Sequence, residues 1–382
     1  MEKIVEELRV VDKIKVLTVF GTRPEAIKMA PLIKELEKRE IFNSVVCVTA
    51  QHREMLDQVL NLFEIVPDYD LNIMSKKQSL STITCKALEG LEEVIQKEMP
   101  DIVLVHGDTT TTFAASLAAF YNKSKVGHIE AGLRTFDKYF PFPEEMNRRL
   151  TSNIADFHFA PTELNKNNLE SENISADKIF VTGNTVIDAM KYTVKEDYKF
   201  RKEELNNIDY KNKKVIMVTA HRRENWGKGI DNICNAINKI VKDNEDVEVV
   251  YLVHLNPIVK DAVERKLKGV NRVHLLEPLD TEETHNLMNK CYMIMTDSGG
   301  IQEEAPHLGK PVLVLRDITE RQEAVEAGTV KLVGTDENKI VETAKELLNN
   351  INSYMNMSNL FNPYGDGTSS VKICNILMEY LK

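Results

Sequence analysis

The chain has 382 residues, 42% hydrophobic and 28% charged, and carries a formal net charge of -10. That length exceeds what one ordinary core supports and predicts two domains. The acidic balance argues against a nucleic-acid-binding surface, so any anionic ligand must be caught by local basic groups.

Cys47, Cys85, Cys234, Cys291 and Cys374 form no CxxC pair, a pattern that fits buried thiols in a reducing cytoplasm rather than a metal centre. The N-terminal stretch "MEKIVEELRVVDKIK" lacks an apolar signal core, and no run approaches the roughly 20 apolar residues of a membrane span. A cytoplasmic enzyme with no membrane partner is expected.

Short β-branched runs alternate with helix-period segments along nearly the whole chain, which predicts an α/β fold with parallel sheets built from βαβ units. The first strand candidate, "KVLTVFG" (15–21), leads into "TRPEAIKMAPLIKELEKR" (22–39). There Thr22 suits a helix cap, Glu25 the positive helix end, and Pro31 is expected to kink or shorten the helix. The turn "FGTRPEAIK" joins helix-start N–H groups to Arg23 and Lys28, a combination that would suit a diphosphate, against the alternative of a capped helix with surface bases.

Further strands are expected at 44–50, 101–107, 125–131, 156–161 and 179–184, nearly continuous in apolar character and so covered on both faces. A cluster of carboxylates stands beside them: Asp108 in "VHGDTTTTF", Glu130 in "GHIEAGLRT", and Glu144 and Glu145 in "PFPEEMNRR". Crowded carboxylates acquire divergent proton affinities, so one can act as acid while another acts as base. Each also has a structural explanation: Asp108 as a helix cap, Glu130 as a partner of Arg134, and Glu144 as a first-turn helix residue.

The pattern lapses over 191–213, read as a crossover followed by a surface helix, and restarts with strands at 214–220, 247–253, 271–277, 291–297, 311–315 and 329–334. The loop "TAHRRENWGKG" gathers His221, Arg222, Arg223 and Lys228, as phosphate binders or as bases paired with Glu224. In "TDSGGIQEEAP", Ser298, Gly299 and Gly300 permit close approach of an anion, and Glu303 or Glu304 would suit ribose hydroxyls or the helix dipole. Arg321 in "TERQEAV" could complete a nucleotide site, and the last segment, "SSVKICNILMEYLK", is amphipathic and suited to packing on the first domain. The expected domains are 1–185 with the C-terminal helix 366–382, and 186–365, with ligand bound in a cleft at the carboxyl ends of the strands.

Taken together, "VFGTRPEAIKMAPL", "TAQHREMLDQVL", "VHGDTTTTFAASLAAFY", "EAGLRT", "TGNTVIDA", "AHRREN", "DSGGIQEEAP" and "NPYGDG" resemble the non-hydrolysing UDP-N-acetylglucosamine 2-epimerases from about residue 14 onward. The resemblance implies two Rossmann-like domains of the GT-B type, a homodimer, no cofactor and no metal, and interconversion of UDP-GlcNAc and UDP-ManNAc. It places Asp108, Glu130, Glu144 and His221 in catalytic roles, and Arg23, Lys28, Ser298, Gly299, Gly300, Glu304 and Arg321 at the substrate. Gln51 and His254 fall where bacterial relatives bind a second, activating UDP-GlcNAc, although Glu54 and Lys77 depart from the residues expected there. Thr284 stands where an aromatic residue is common near the uracil. A UDP-sugar glycosyltransferase of the same fold, a hydrolysing epimerase and a silent nucleotide-sugar sensor are the competing readings, since fold alone does not separate them.

Overall fold

The computed structural model describes residues 13–50, 53–74 and 78–381. The expected activator residue Gln51, together with Lys77 and the Glu54 side chain, lies outside what is described. Two compact units are present, one reaching Ala189 and completed by the segment from Gly367, the other spanning Met190–Asp366.

The first unit is a parallel sheet of β1 (Ile14–Phe20), β2 (Phe42–Val48), β3 (Tyr69–Asp70), β4 (Ile102–His106), β5 (Lys125–Ile129), β6 (Phe157–Ala160) and β7 (Ile179–Val181). Their order is β3-β2-β1-β4-β5-β6-β7. The second unit contains β8 (Lys214–Thr219), β9 (Val247–Leu252), β10 (Val273–Leu276), β11 (Met293–Thr296), β12 (Val312–Val314) and β13 (Val330–Leu332), ordered β10-β9-β8-β11-β12-β13. In each sheet the strand order reverses beside the first strand, at β1/β4 and at β8/β11. Ligands of doubly wound sheets bind outside the carboxyl ends of the strands at that reversal.

The strands are apolar because helices cover both faces. Val16, Leu17, Val19 and Phe20 of β1 are almost fully buried, whereas Lys15 keeps its ammonium at the edge, bonded to the Glu98 carbonyl at 2.7 Å. Strand β3 escaped the sequence reading because two residues carry no periodic signal.

Two expectations are corrected. The helix Arg23–Glu37 is not shortened by Pro31, which sits buried in its middle. Met29, Leu32, Ile33 and Leu36 are fully buried on the same helix, and their packing offsets the one hydrogen bond that proline removes. The segment from Lys195 onward forms a strap with only one short helical turn, Glu203–Asn206. It is fastened to the helix Thr281–Lys290 through Lys195 to Glu282 at 2.7 Å and the Arg201 N–H to Glu283 at 2.8 Å.

The helix Ser369–Tyr380 belongs to the first unit. Asp188 accepts the Ser369 and Ser370 N–H groups at 3.1 and 2.8 Å, capping that helix, and the Tyr380 ring meets Phe180 edge-on at 5.3 Å. Gly132, after β5, has a φ of 90°, and a Cβ there would lie 2.2 Å from the Asn165 carbonyl oxygen. Gly132→Ala is therefore expected to cost about 3 kcal/mol or more in urea unfolding. Gly269→Ala, with a φ of 79° and nothing within 4 Å, should cost about 1 kcal/mol, the strain of its backbone alone.

Candidate active site

The turn after β1 is occupied from within. Glu25, 3% exposed, accepts the Gly21 and Thr22 N–H groups at 3.1 and 2.8 Å and the Thr109 hydroxyl at 2.7 Å. These are the donors that a phosphate would need, so the expectation of a diphosphate held by this backbone is corrected: a carboxylate of the chain already satisfies them. Burial raises the pKa of Glu25, with the hydrogen bonds from Thr109, Thr22 and Gly21 opposing it. Gly21 is required by packing, because a Cβ would stand 2.2 Å from the Thr49 hydroxyl and 2.7 Å from that of Thr111. Arg23 is half-buried, while Lys28 ion-pairs with Glu130.

Asp108 does not cap the helix that follows it. Thr109 does, its hydroxyl accepting the Thr112 N–H at 3.2 Å. The Asp108 carboxylate instead receives Nε and Nη2 of Arg148 at 3.0 and 2.6 Å, and its carbonyl receives the Asn147 amide at 2.9 Å. Arg148 also reaches Glu145 at 3.2 Å, so the helix Glu144–Ile154 is clamped to the β4 turn. Glu145 is fully buried and accepts the Thr135 and Phe136 N–H groups. Its neighbour Glu144 leaves a buried Oε2 without a hydrogen-bond partner among the described residues.

Glu130, at a left-handed φ of 61°, places Oε2 against Lys28 and against the Asn184 amide at 2.9 Å. Its Oε1 lies 3.7 Å from where a Cβ on Gly107, the residue before Asp108, would stand. Arg134 is committed elsewhere, to Glu172 at 2.9 and 2.7 Å. Two histidines back this cluster. Burial holds the pKa of His106 down to about 4 and that of His128 down to about 3. His128 Nε2 donates to the Gly107 carbonyl at 2.7 Å, since a carbonyl only accepts.

The second unit repeats the sealed turn. Asp297, fully buried, takes the His221 and Arg222 N–H groups at 2.8 Å each through Oδ2 and the Asn225 amide at 3.0 Å, while its Oδ1 lies 3.3 Å from His221 Nδ1. Burial lowers the pKa of His221, and Asp297 opposes that shift. His254, expected at an activator site, stacks on His221 with ring centroids 5.3 Å apart. Glu224 pairs with Arg316 at 2.6 Å, not with its basic neighbours, and Arg222, Arg223 and Lys228 remain exposed.

Ser298 precedes the short helix Gly299–Glu304, and its N–H is donated to Thr296 at 3.0 Å. The Arg321 guanidinium lies over Gly299, with Cζ 3.1 Å from a would-be Cβ, and pairs with buried Glu303 at 2.7 Å. Of the two glutamates, Glu303 is therefore spent on Arg321, and Glu304 faces His285 at 3.6 Å. Thr284 spends its hydroxyl on the Asp280 carbonyl at 2.7 Å. Among the described residues no cluster of His, Cys, Asp and Glu is arranged to hold a metal ion.

A UDP-N-acetylglucosamine 2-epimerase family profile matches residues 34–378. The chain belongs to that family. A Clostridium acetobutylicum protein is 67% identical over 368 residues, with 96% of each chain covered. The UDP-N-acetylglucosamine 2-epimerase of Bacillus subtilis is 58% identical, covering 96% of this chain and 95% of its own. The structure of the Neisseria meningitidis UDP-GlcNAc 2-epimerase bound to UDP-GlcNAc superposes with a TM-score of 0.83 at 56% identity, covering 96% of this chain and all of that one.

Sequence reasoning about this epimerase-family chain missed His106, Arg148, Asp297 and the sealing role of Glu25. Only Glu25 carried a local signal, the Thr22-x-x-Glu25 spacing of a capping box. The two buried histidines set a pH dependence. A histidine with a lowered folded pKa binds fewer protons folded than unfolded, so its full stability is present above about pH 6.5 and is lost as pH falls towards the folded value. Thermal melts at pH 7.5 and pH 5 should differ by on the order of 2 kcal/mol for each of His106 and His128, with the acidic sample less stable.

Proposed function

We propose that this protein interconverts UDP-GlcNAc and UDP-ManNAc by eliminating UDP and adding it back. The carrying observation is that Asp108, Glu130 and Glu144 meet three different environments at the carboxyl end of one sheet: an arginine, a lysine with an amide, and, for Glu144, a buried oxygen with no hydrogen-bond partner among the described residues. Such divergence is what separate acid and base roles require.

The hydrogen on carbon 2 of the sugar has no adjacent carbonyl to acidify it, so simple deprotonation is not available. Elimination avoids the difficulty. A base takes the carbon-2 proton, its bonding pair forms the carbon 1–carbon 2 double bond, and the carbon 1–oxygen bond breaks with its electrons leaving on UDP. The product is 2-acetamidoglucal. A proton then adds to the opposite face of carbon 2, and a diphosphate oxygen attacks carbon 1. The sequence is redox-neutral and needs no electron carrier.

On this reading the sugar is assigned to Asp108, Glu130 and Glu144, with Arg23 and Lys28 beside it. The diphosphate is assigned to His221, the Ser298–Gly299–Gly300 turn and Arg321, and the ribose to Glu304. The sealing of the β8 turn by Asp297 supports an anion site displaced to the β11 turn. The expected homodimer and cytoplasmic setting belong to the same reading, and light scattering of the purified protein tests the first.

Incubation with UDP-GlcNAc in deuterated water should yield UDP-ManNAc carrying deuterium at carbon 2, read by NMR. Free ManNAc with UDP would favour the hydrolysing reaction, and transfer only on addition of a sugar acceptor would favour a glycosyltransferase. Asp108→Asn should lower kcat at least about 100-fold while changing UDP affinity less than about threefold.

A further inference from the structure

His106 closes β4 and is 3% exposed, yet its buried Nε2 has no hydrogen-bond partner among the described residues. That nitrogen lies 3.9 Å from Glu130 Oε2, the same oxygen that Lys28 and Asn184 already contact. An orphaned polar atom in a protein interior is costly and calls for an explanation. The charged groups acting on the ring are Glu130 from the turn after β5 and Lys28 from the first helix, and the ring in turn acts on His128 of β5. Burial dominates, so the imidazole is neutral at physiological pH.

We infer that His106 is a positioning residue for Glu130, supplying a further hydrogen-bond donor to Oε2 when substrate binding draws that carboxylate toward the ring. This rests on the epimerase reading above. The imidazole stays neutral, donates through Nε2–H and transfers no proton. Closing the gap from 3.9 Å to the roughly 2.9 Å of a hydrogen bond asks for a shift of about 1 Å. A held carboxylate matters here because the left-handed backbone of Glu130 is itself unfavourable and leaves orientation to side-chain partners.

The test compares His106→Gln, whose amide can reach the same oxygen, with His106→Asn, too short to do so, and His106→Leu, which has no donor. UDP-GlcNAc turnover, its pH profile and thermal melts are measured on the full chain. The expected result is that Gln keeps kcat within about threefold of the parent, whereas Asn and Leu lose about 30-fold or more with KM changed less than about threefold. The acid limb of their kcat profiles should move to higher pH, because a carboxylate that loses a donor is protonated more readily. Should Leu fail to fold, the Gln and Asn pair decides. Equal activity of Gln and Asn, or a kcat loss with an unmoved pH profile and a lowered melting point, overturns the inference. Absence of epimerisation by the parent protein would instead strike the underlying reading.

Discussion

In both sheets, the two backbone N–H groups that end the first strand's turn are held by a carboxylate of the chain itself. Glu25 takes those of Gly21 and Thr22, and Asp297 takes those of His221 and Arg222. Burying a carboxylate is costly unless its lone pairs are filled, and several charge-assisted hydrogen bonds to each meet that cost. Much of the site's layout follows. The position where doubly wound folds ordinarily seat a pyrophosphate is closed in both sheets, its N–H groups already taken. Each sealing residue also ties down a neighbour of the candidate site: Glu25 holds Thr109, adjacent to Asp108, and Asp297 lies against the His221 ring.

The strands were readable because each is short, apolar and bounded by turn residues, a signal that does not depend on what lies across the sheet. The site was readable only in part. Asp108, Glu130 and Glu144 could be singled out as carboxylates beside strands, but their partners are remote in sequence. Arg148 is 40 residues from Asp108, and Lys28 is 102 from Glu130. Local reasoning therefore offered Asp108 as a cap and Arg134 as the Glu130 partner, and tertiary structure awards the first task to Thr109 and sends Arg134 to Glu172. The catalytic assignment came from family resemblance, not from spacing. Pro31 leaves its helix unshortened for a related reason: burial of the helix outweighs a local rule.

Among the described residues, buried polar atoms without a hydrogen-bond partner occur at both reversal points: His106 Nε2 and Glu144 Oε2 in the first unit, and in the second Asp297 Oδ1, which has only the His221 ring 3.3 Å away. Such atoms are a liability for stability, and interiors usually pair them. At these turns they stand beside carboxylates and cations. The packed sheets behind them, buried along β4 and along β1 and β8 apart from Lys15 and Lys214, supply the rigidity that tolerates them.

Asp188 gives the first unit an unusual order of assembly. Its carboxylate waits for Ser369 and Ser370, partners 181 and 182 residues further on, while the second unit occupies the sequence between. Domains made on the ribosome generally complete themselves from the N-terminus onward. Here the earlier-made unit is the one left unfinished: the groove that takes Tyr380 against Phe157 and Phe180 stays uncovered until residues beyond 366 have been synthesised. During that interval an apolar aromatic surface is exposed, and the second unit has time to fold before the first is sealed.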